Sequence, residues 1–74
     1  MDIYECERRA IDDGASDSAT FDVVGPNGTI PVKWLDAHMG IMKGDGQPGF
    51  WTTRDVAQQA SALGLRIENY QPNV

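Results

Sequence analysis

Residues 20–34, TFDVVGPNGTIPVKW, decide how this 74-residue chain folds. Phe21 and Val23 alternate with Asp22, and Ile30, Val32 and Trp34 alternate with Lys33. That period of two sets one face of a strand on a core. Between the two runs stands Gly25-Pro26-Asn27-Gly28. Pro26 presets φ, and Asn27 and Gly28 tolerate positive φ, so the runs are predicted to close as a β-hairpin. Pro31 has no N–H, so the return strand is expected at a sheet edge or with its Pro31 side turned away from a partner.

Downstream the period changes. Trp34, Leu35, His38, Met39 and Met42 recur at helical spacing, with Asp36 and Lys43 outside the stripe. This predicts a short helix or helical turn ending by Gly44, which Gly40 weakens by ~1 kcal/mol relative to alanine. Lys43 to Gly49 is punctuated by Gly44, Gly46, Pro48 and Gly49 and reads as a loop. Thr52 to Leu63 carries the strongest helix signal. Thr52 is a good N-cap, and Asp55 completes the capping-box spacing in place of the preferred Glu or Gln. Trp51 and Val56 are placed for a hydrophobic staple, and Val56, Ala60 and Leu63 share one face. Gly64 stops the helix, and Leu65 can fold back on Ala60. Leu65 to Glu68 then alternate as a last strand, with fraying expected beyond Tyr70 because of Pro72.

Upstream of the hairpin the chain is acidic. Ile3, Cys6 and Ala10, with Tyr4 and Ile11 alongside, can share a helical face, and a Glu5–Arg9 pair would support it by a few tenths of a kcal/mol. A short isolated helix is marginal in water, so this segment is expected to order fully only against something else. Asp12 to Ser18 lacks apolar periodicity and reads as a flexible acidic linker. The expected architecture is a small α+β domain: a three-stranded, mainly antiparallel sheet with one packed helix and a flexible acidic N-terminal arm. Residues 1–19 form the arm and linker, 20–70 the body, and 71–74 a frayed tail.

The charge is as uneven as the patterning. Asp2, Glu5, Glu7, Asp12, Asp13, Asp17 and Asp22 face only Arg8 and Arg9 in the first 22 residues, which hold the whole net charge of −5. From Val23 onward Asp36, Asp45, Asp55 and Glu68 balance Lys33, Lys43, Arg54 and Arg66. Such a chain is steered toward basic surfaces, and direct nucleic-acid binding, which rests on Lys and Arg, is not expected. No run approaches the ~20 apolar residues of a membrane span, and the acidic N-terminus does not resemble a signal peptide. A cytoplasmic protein with no membrane partner is expected.

Chemistry has little to work with. Cys6 is the single cysteine and His38 the single histidine, so neither an internal disulfide nor a four-ligand Cys/His zinc site can be built. Cys6 reads as a small half-buried hydrophobe, His38 as a residue at the core edge. The glycine-rich loop lacks the Lys-Ser/Thr that follows the last glycine of a P-loop, since Gly49 leads to Phe50 and Trp51. Asp12, Asp13 and Asp17 lack the spacing of a calcium loop. No cofactor, metal or catalytic residue is assigned, and an enzyme is not expected.

Two resemblances bear on function. Trp51-Thr52-Thr53-Arg54-Asp55-Val56-Ala57 resembles the first-helix opening of the winged helix-turn-helix in MerR-type regulators and phage excisionases. That likeness implies DNA binding through a second helix, whereas here a helix stop and a strand follow. In size and charge the chain resembles the host-takeover proteins of bacteriophages, which implies binding and inhibition of host RNA polymerase or defence machinery. The function expected is therefore a non-enzymatic protein-interaction domain that binds a basic surface of a larger host machine. An excisionase- or MerR-like DNA-binding regulator is the alternative. The candidate partner-binding residues are Tyr4, Glu5, Glu7, Asp12, Asp13 and Asp17 of the arm. Phe50 and Trp51 join them as aromatic anchors of the kind interfaces favour.

Overall fold

The computed structural model describes residues 1–36, 40–43 and 50–74. It is an α+β domain with one antiparallel sheet and two helices. In chain order these are α1 (Ile3–Asp12), β1 (Thr20–Gly25), β2 (Gly28–Asp36), β3 (Gly40–Lys43), β4 (Phe50–Trp51), α2 (Thr53–Leu63) and β5 (Arg66–Gln71). The strands run in the order β4-β3-β2-β1-β5. The three expected strands are the centre and one edge, β2-β1-β5, and β3 and the two-residue β4 extend the sheet beyond them.

The hairpin closes with Gly25 opposite Gly28, so Pro26-Asn27 is its two-residue loop. Strand β2 is paired on both sides. Trp34 donates its amide to the Ala19 carbonyl at 2.9 Å, toward β1. By the strand's period of two, position 31 directs its nitrogen away from β1. The described pairs with β3 start at Val32↔Lys43, just past Pro31. The missing N–H therefore costs no hydrogen bond on the β1 side, which is how an interior strand admits a proline.

The inward face of the sheet carries Phe21 and Val23 from β1, Val32 and Trp34 from β2, and Ile67 from β5, all buried. Phe21 and Trp34 pack with ring centroids 5.4 Å apart and planes tilted by 43°. The residues that cover them come largely from the N-terminus: Ile3, Cys6 and Ala10 of α1, then Ala15 and Ala19, with Val56 the buried residue of α2. The N-terminal segment is thus a helix packed into the body. Ile3, Cys6 and Ala10 are buried as the spacing indicated, whereas Tyr4 and Ile11, expected alongside them, are exposed; what the helix orders against is this protein's own sheet and α2. Asp2 caps it by accepting the Glu5 amide at 2.8 Å. The expected Glu5–Arg9 pair does not form; Arg9 lies over the Tyr70 ring, 5.7 Å from its centroid.

Two further expectations are corrected. Asp12 to Ser18, expected as a flexible linker, instead closes α1 and turns against the core. Ala15 donates its amide to Ala10 at 2.7 Å, Ala19 donates to Ala15 at 2.9 Å, and both alanines are fully buried. Alanine fits where the helix and the sheet leave no room for a larger side chain, and it gives no periodic signal. The helical turn expected from Trp34 to Met42 is absent where the structure describes it: Trp34 to Asp36 belong to β2 and Gly40 to Lys43 to β3. Pairing to β1 and β3, with Trp34 fully buried, outweighs a local helical stripe. His38 and Met39 lie outside the described residues, as do 44–49 of the glycine-rich loop.

The end of the chain is tied down more firmly than Pro72 suggested. Strand β5 takes up one extra residue opposite β1, with Asn69 in the left-handed region (φ 57°) and its side-chain Nδ2 donating to Asp22 Oδ2 at 2.8 Å. Beyond the strand, Ser18 Oγ donates to the Pro72 carbonyl at 3.0 Å and Asn73 Nδ2 to Thr20 Oγ1 at 2.9 Å.

Candidate interaction site

The residues that α1 turns outward form the first candidate surface. Burying Ile3, Cys6 and Ala10 fixes the helix's rotation, which leaves Tyr4, Glu5, Arg8 and Asp12 on the opposite side with Ile11 at its flank. All five are exposed, Tyr4 by 54% and Ile11 by 39%. Among the described residues the one ion pair is Arg66–Glu68, so the carboxylates of Glu5, Asp12 and Asp17 have no cationic partner of their own.

The other two predicted acids are engaged internally. Glu7 Oε2 accepts the hydroxyl of Thr53, joining α1 to the first turn of α2. Asp13, the C-cap of α1, accepts the Tyr70 hydroxyl at 2.8 Å. Burial, then the hydrogen bond to Asp13 and its negative charge, push the Tyr70 phenol up to about 12. The predicted set is therefore split. Tyr4, Glu5, Asp12 and Asp17 remain available on the surface, while Glu7 and Asp13 hold the fold together. Tyr4 and Ile11, expected alongside the buried face, instead join Arg8 on the outer one, at i, i+4, i+7.

Phe50 and Trp51 form β4, at the opposite edge of the sheet from β5. Trp51 is half-buried against the core and lines a second surface, a cleft of about 420 Å³ beside α2. The cleft lies between α2 and the hairpin, with Val56 and Leu63 on the helix and Val23 and Ile30 on the strands. At the start of α2, Thr52 accepts the Asp55 amide and Asp55 accepts the Thr52 amide, both at 3.1 Å, and Val56 is buried. At the end, Leu63 is 58% exposed. Gly64 takes the left-handed conformation (φ 68°), and Leu65 turns back across Gly25, where a β-carbon would lie 2.5 Å from Leu65 Cδ2. Sequence reasoning expected Leu63 to continue the packed face and missed Ile30 and Leu65 as cleft residues.

Among the described residues, no group of three or more His, Cys, Asp or Glu side chains is placed to hold a metal ion. Cys6 is fully buried, and burial pushes its thiol up to about 11. The buried Trp34 indole N–H has no hydrogen-bond partner among the described residues, and the neighbouring Trp34 side chain works against the Cys6 shift without outweighing burial. A thiol held in its neutral form away from solvent is not a nucleophile. No described helix is long and apolar enough to cross a membrane. After α2 the chain passes through Gly64 into β5, so the opening shared with helix-turn-helix proteins leads to a strand. No family model, curated protein or solved structure matches the chain.

Proposed function

We propose that this protein is a non-enzymatic interaction domain whose acidic α1 face binds a basic surface of a larger macromolecular machine and regulates or inhibits it. The phage-type likeness in size and charge makes bacterial RNA polymerase the candidate. One observation carries the reading: Glu5, Asp12 and Asp17 are exposed and unpaired on a segment that is itself firmly packed. An ordered helix presents its charges in fixed positions, so a partner loses less conformational freedom in matching them. Fixed charge that is predominantly negative, with Arg8 among the carboxylates, also steers encounter and disfavours acidic competitors. Tyr4 and Ile11 supply apolar contact within the same face.

The test is affinity capture from a bacterial lysate with the intact protein and with the Glu5→Gln/Asp12→Asn/Asp17→Asn variant. A partner held by the first and released by the second is the expected result, with retention falling as salt rises. Equal capture by both proteins rejects the α1 face. Binding of labelled duplex DNA by the protein alone, with a steep salt slope, replaces the reading with that of a DNA-binding regulator.

A further inference from the structure

The cleft beside α2 is a second surface that the charge of α1 does not explain. Val56 and Leu63 wall one side, Val23, Ile30 and Leu65 the other, and Trp51 stands with them. It is an open trough, since Ile30 and Leu63 are 40% and 58% exposed, and its volume is that of a site for one or two large side chains. Its polar boundary has one sign. Asp55 contributes a carboxylate, one oxygen of which accepts the Thr52 amide, Gln58 and Gln59 are neutral, and among the described residues no Lys or Arg lines it.

The far end is negative for a different reason. The last turn of α2 has no basic residue, and the Gly64 and Leu65 amides both return to the Ala60 carbonyl. Arg66, just past the helix end, is paired with Glu68 at 3.1 Å, so no residue of α2 itself offsets the partial negative charge of that end. Asp55 and Leu63 are eight residues apart on α2, about 12 Å at the helical rise.

We propose that this trough binds a peptide segment of a protein partner that presents a large aliphatic or aromatic side chain between two Lys or Arg residues about 12 Å apart. The apolar side chain fills the space between Ile30, Val56 and Leu65. One cation meets Asp55 and the other meets the carbonyl end of α2. A second copy of this chain fits poorly, because each copy carries a net charge of −5 and would bring like charge to both ends of the trough. The proposal rests on reading the chain as an interaction domain for a basic partner, yet it uses no residue of α1, so the two can fail separately.

Three synthetic peptides of about 18 residues, designed as amphipathic helices, test it against the methyl- and amide-labelled intact protein. The first combines Leu with Lys, the second replaces Leu by Ser, and the third replaces Lys by Glu. The Leu-Lys peptide should shift the methyl signals of Ile30, Val56, Leu63 and Leu65. The Lys-Ser peptide should move only amides of the α1 face, and the Leu-Glu peptide should bind at least about tenfold more weakly than the first. Leu63→Lys and Gln59→Lys, both at exposed positions, should each weaken the Leu-Lys peptide by about tenfold while α1 signals respond as before. Unmoved cleft methyls, equal binding of the Leu-Glu peptide, or cleft signals that change with protein concentration alone would each overturn the proposal. The last of these would indicate a second copy as the occupant.

Discussion

The two helices look alike in length and capping and differ in what they bury. Helix α1 places Ile3, Cys6 and Ala10 in the core, none more than 2% exposed. Helix α2, with the better sequence signature, buries Val56 alone and leaves Leu63 in solvent. A capping box and a glycine stop specify that a helix forms and where it ends. They say nothing about how closely it packs. Closeness is set by side-chain size, and Cys6 and Ala10 let α1 approach the sheet where a run of larger residues would hold it off. Acidic residues on the outer face do not loosen such a helix, because they remain hydrated.

The sharpest way to break this comparison is truncation of one large aliphatic residue in each helix, buried Ile3 in α1 and exposed Leu63 in α2. Ile3→Ala should cost about 2–5 kcal/mol, a large share of the total for so small a domain, whereas Leu63→Ala should change stability by less than about 0.5 kcal/mol. Urea denaturation of the two variants checks this, and equal losses would reverse the assignment of the helices.

High pH probes the α1 side alone. The folded-state pKa values of Cys6 and Tyr70 are raised, from 9.0 to about 11 and from 10.0 to about 12. Above pH 9 the unfolded chain loses these protons first, so the stability they contribute is complete below that pH and is lost as pH rises toward 12. Thermal unfolding followed across this range should show a falling Tm. Asp13→Asn should reduce the Tyr70 share of the fall without abolishing it, since burial of the phenol remains, and a thiol reagent should reach Cys6 only at the rate of opening.

Caps provide a smaller, matched pair. Thr52→Ala and Asp2→Ala should each cost about 1 kcal/mol, and Thr52→Ala should also open the cleft further by releasing the first turn of α2. The smallest effect is expected on the outer face of α1. Glu5→Gln and Asp12→Asn should leave stability within about 0.5 kcal/mol of the parent, so any lost partner binding reports on recognition rather than folding.

Much of the fold is legible in the residues themselves. The hairpin follows from alternation around Gly25-Pro26-Asn27-Gly28, α2 from Thr52, Asp55 and Gly64, and β5 from the alternation that succeeds Gly64. The buried stripe of α1 is visible at Ile3, Cys6 and Ala10. Strand β3 was hidden, because Trp34 to Met42 carry a helical spacing that long-range pairing overrides. The candidate surfaces were half legible. Charge identified the N-terminal segment, but separating Glu5 and Asp12 from Glu7 and Asp13 requires knowing where Thr53 and Tyr70 lie.

By itself, then, the sequence determined the α+β class, the hairpin, the caps of α2 and the location of the net charge, since these depend on neighbours within a few positions. Only the tertiary structure decided that the N-terminal helix covers the core, that Ala15 and Ala19 lie inside it, and that an apolar trough stays open beside α2. These features depend on how closely distant surfaces approach, which is fixed by the volumes of side chains brought together from opposite ends of the chain.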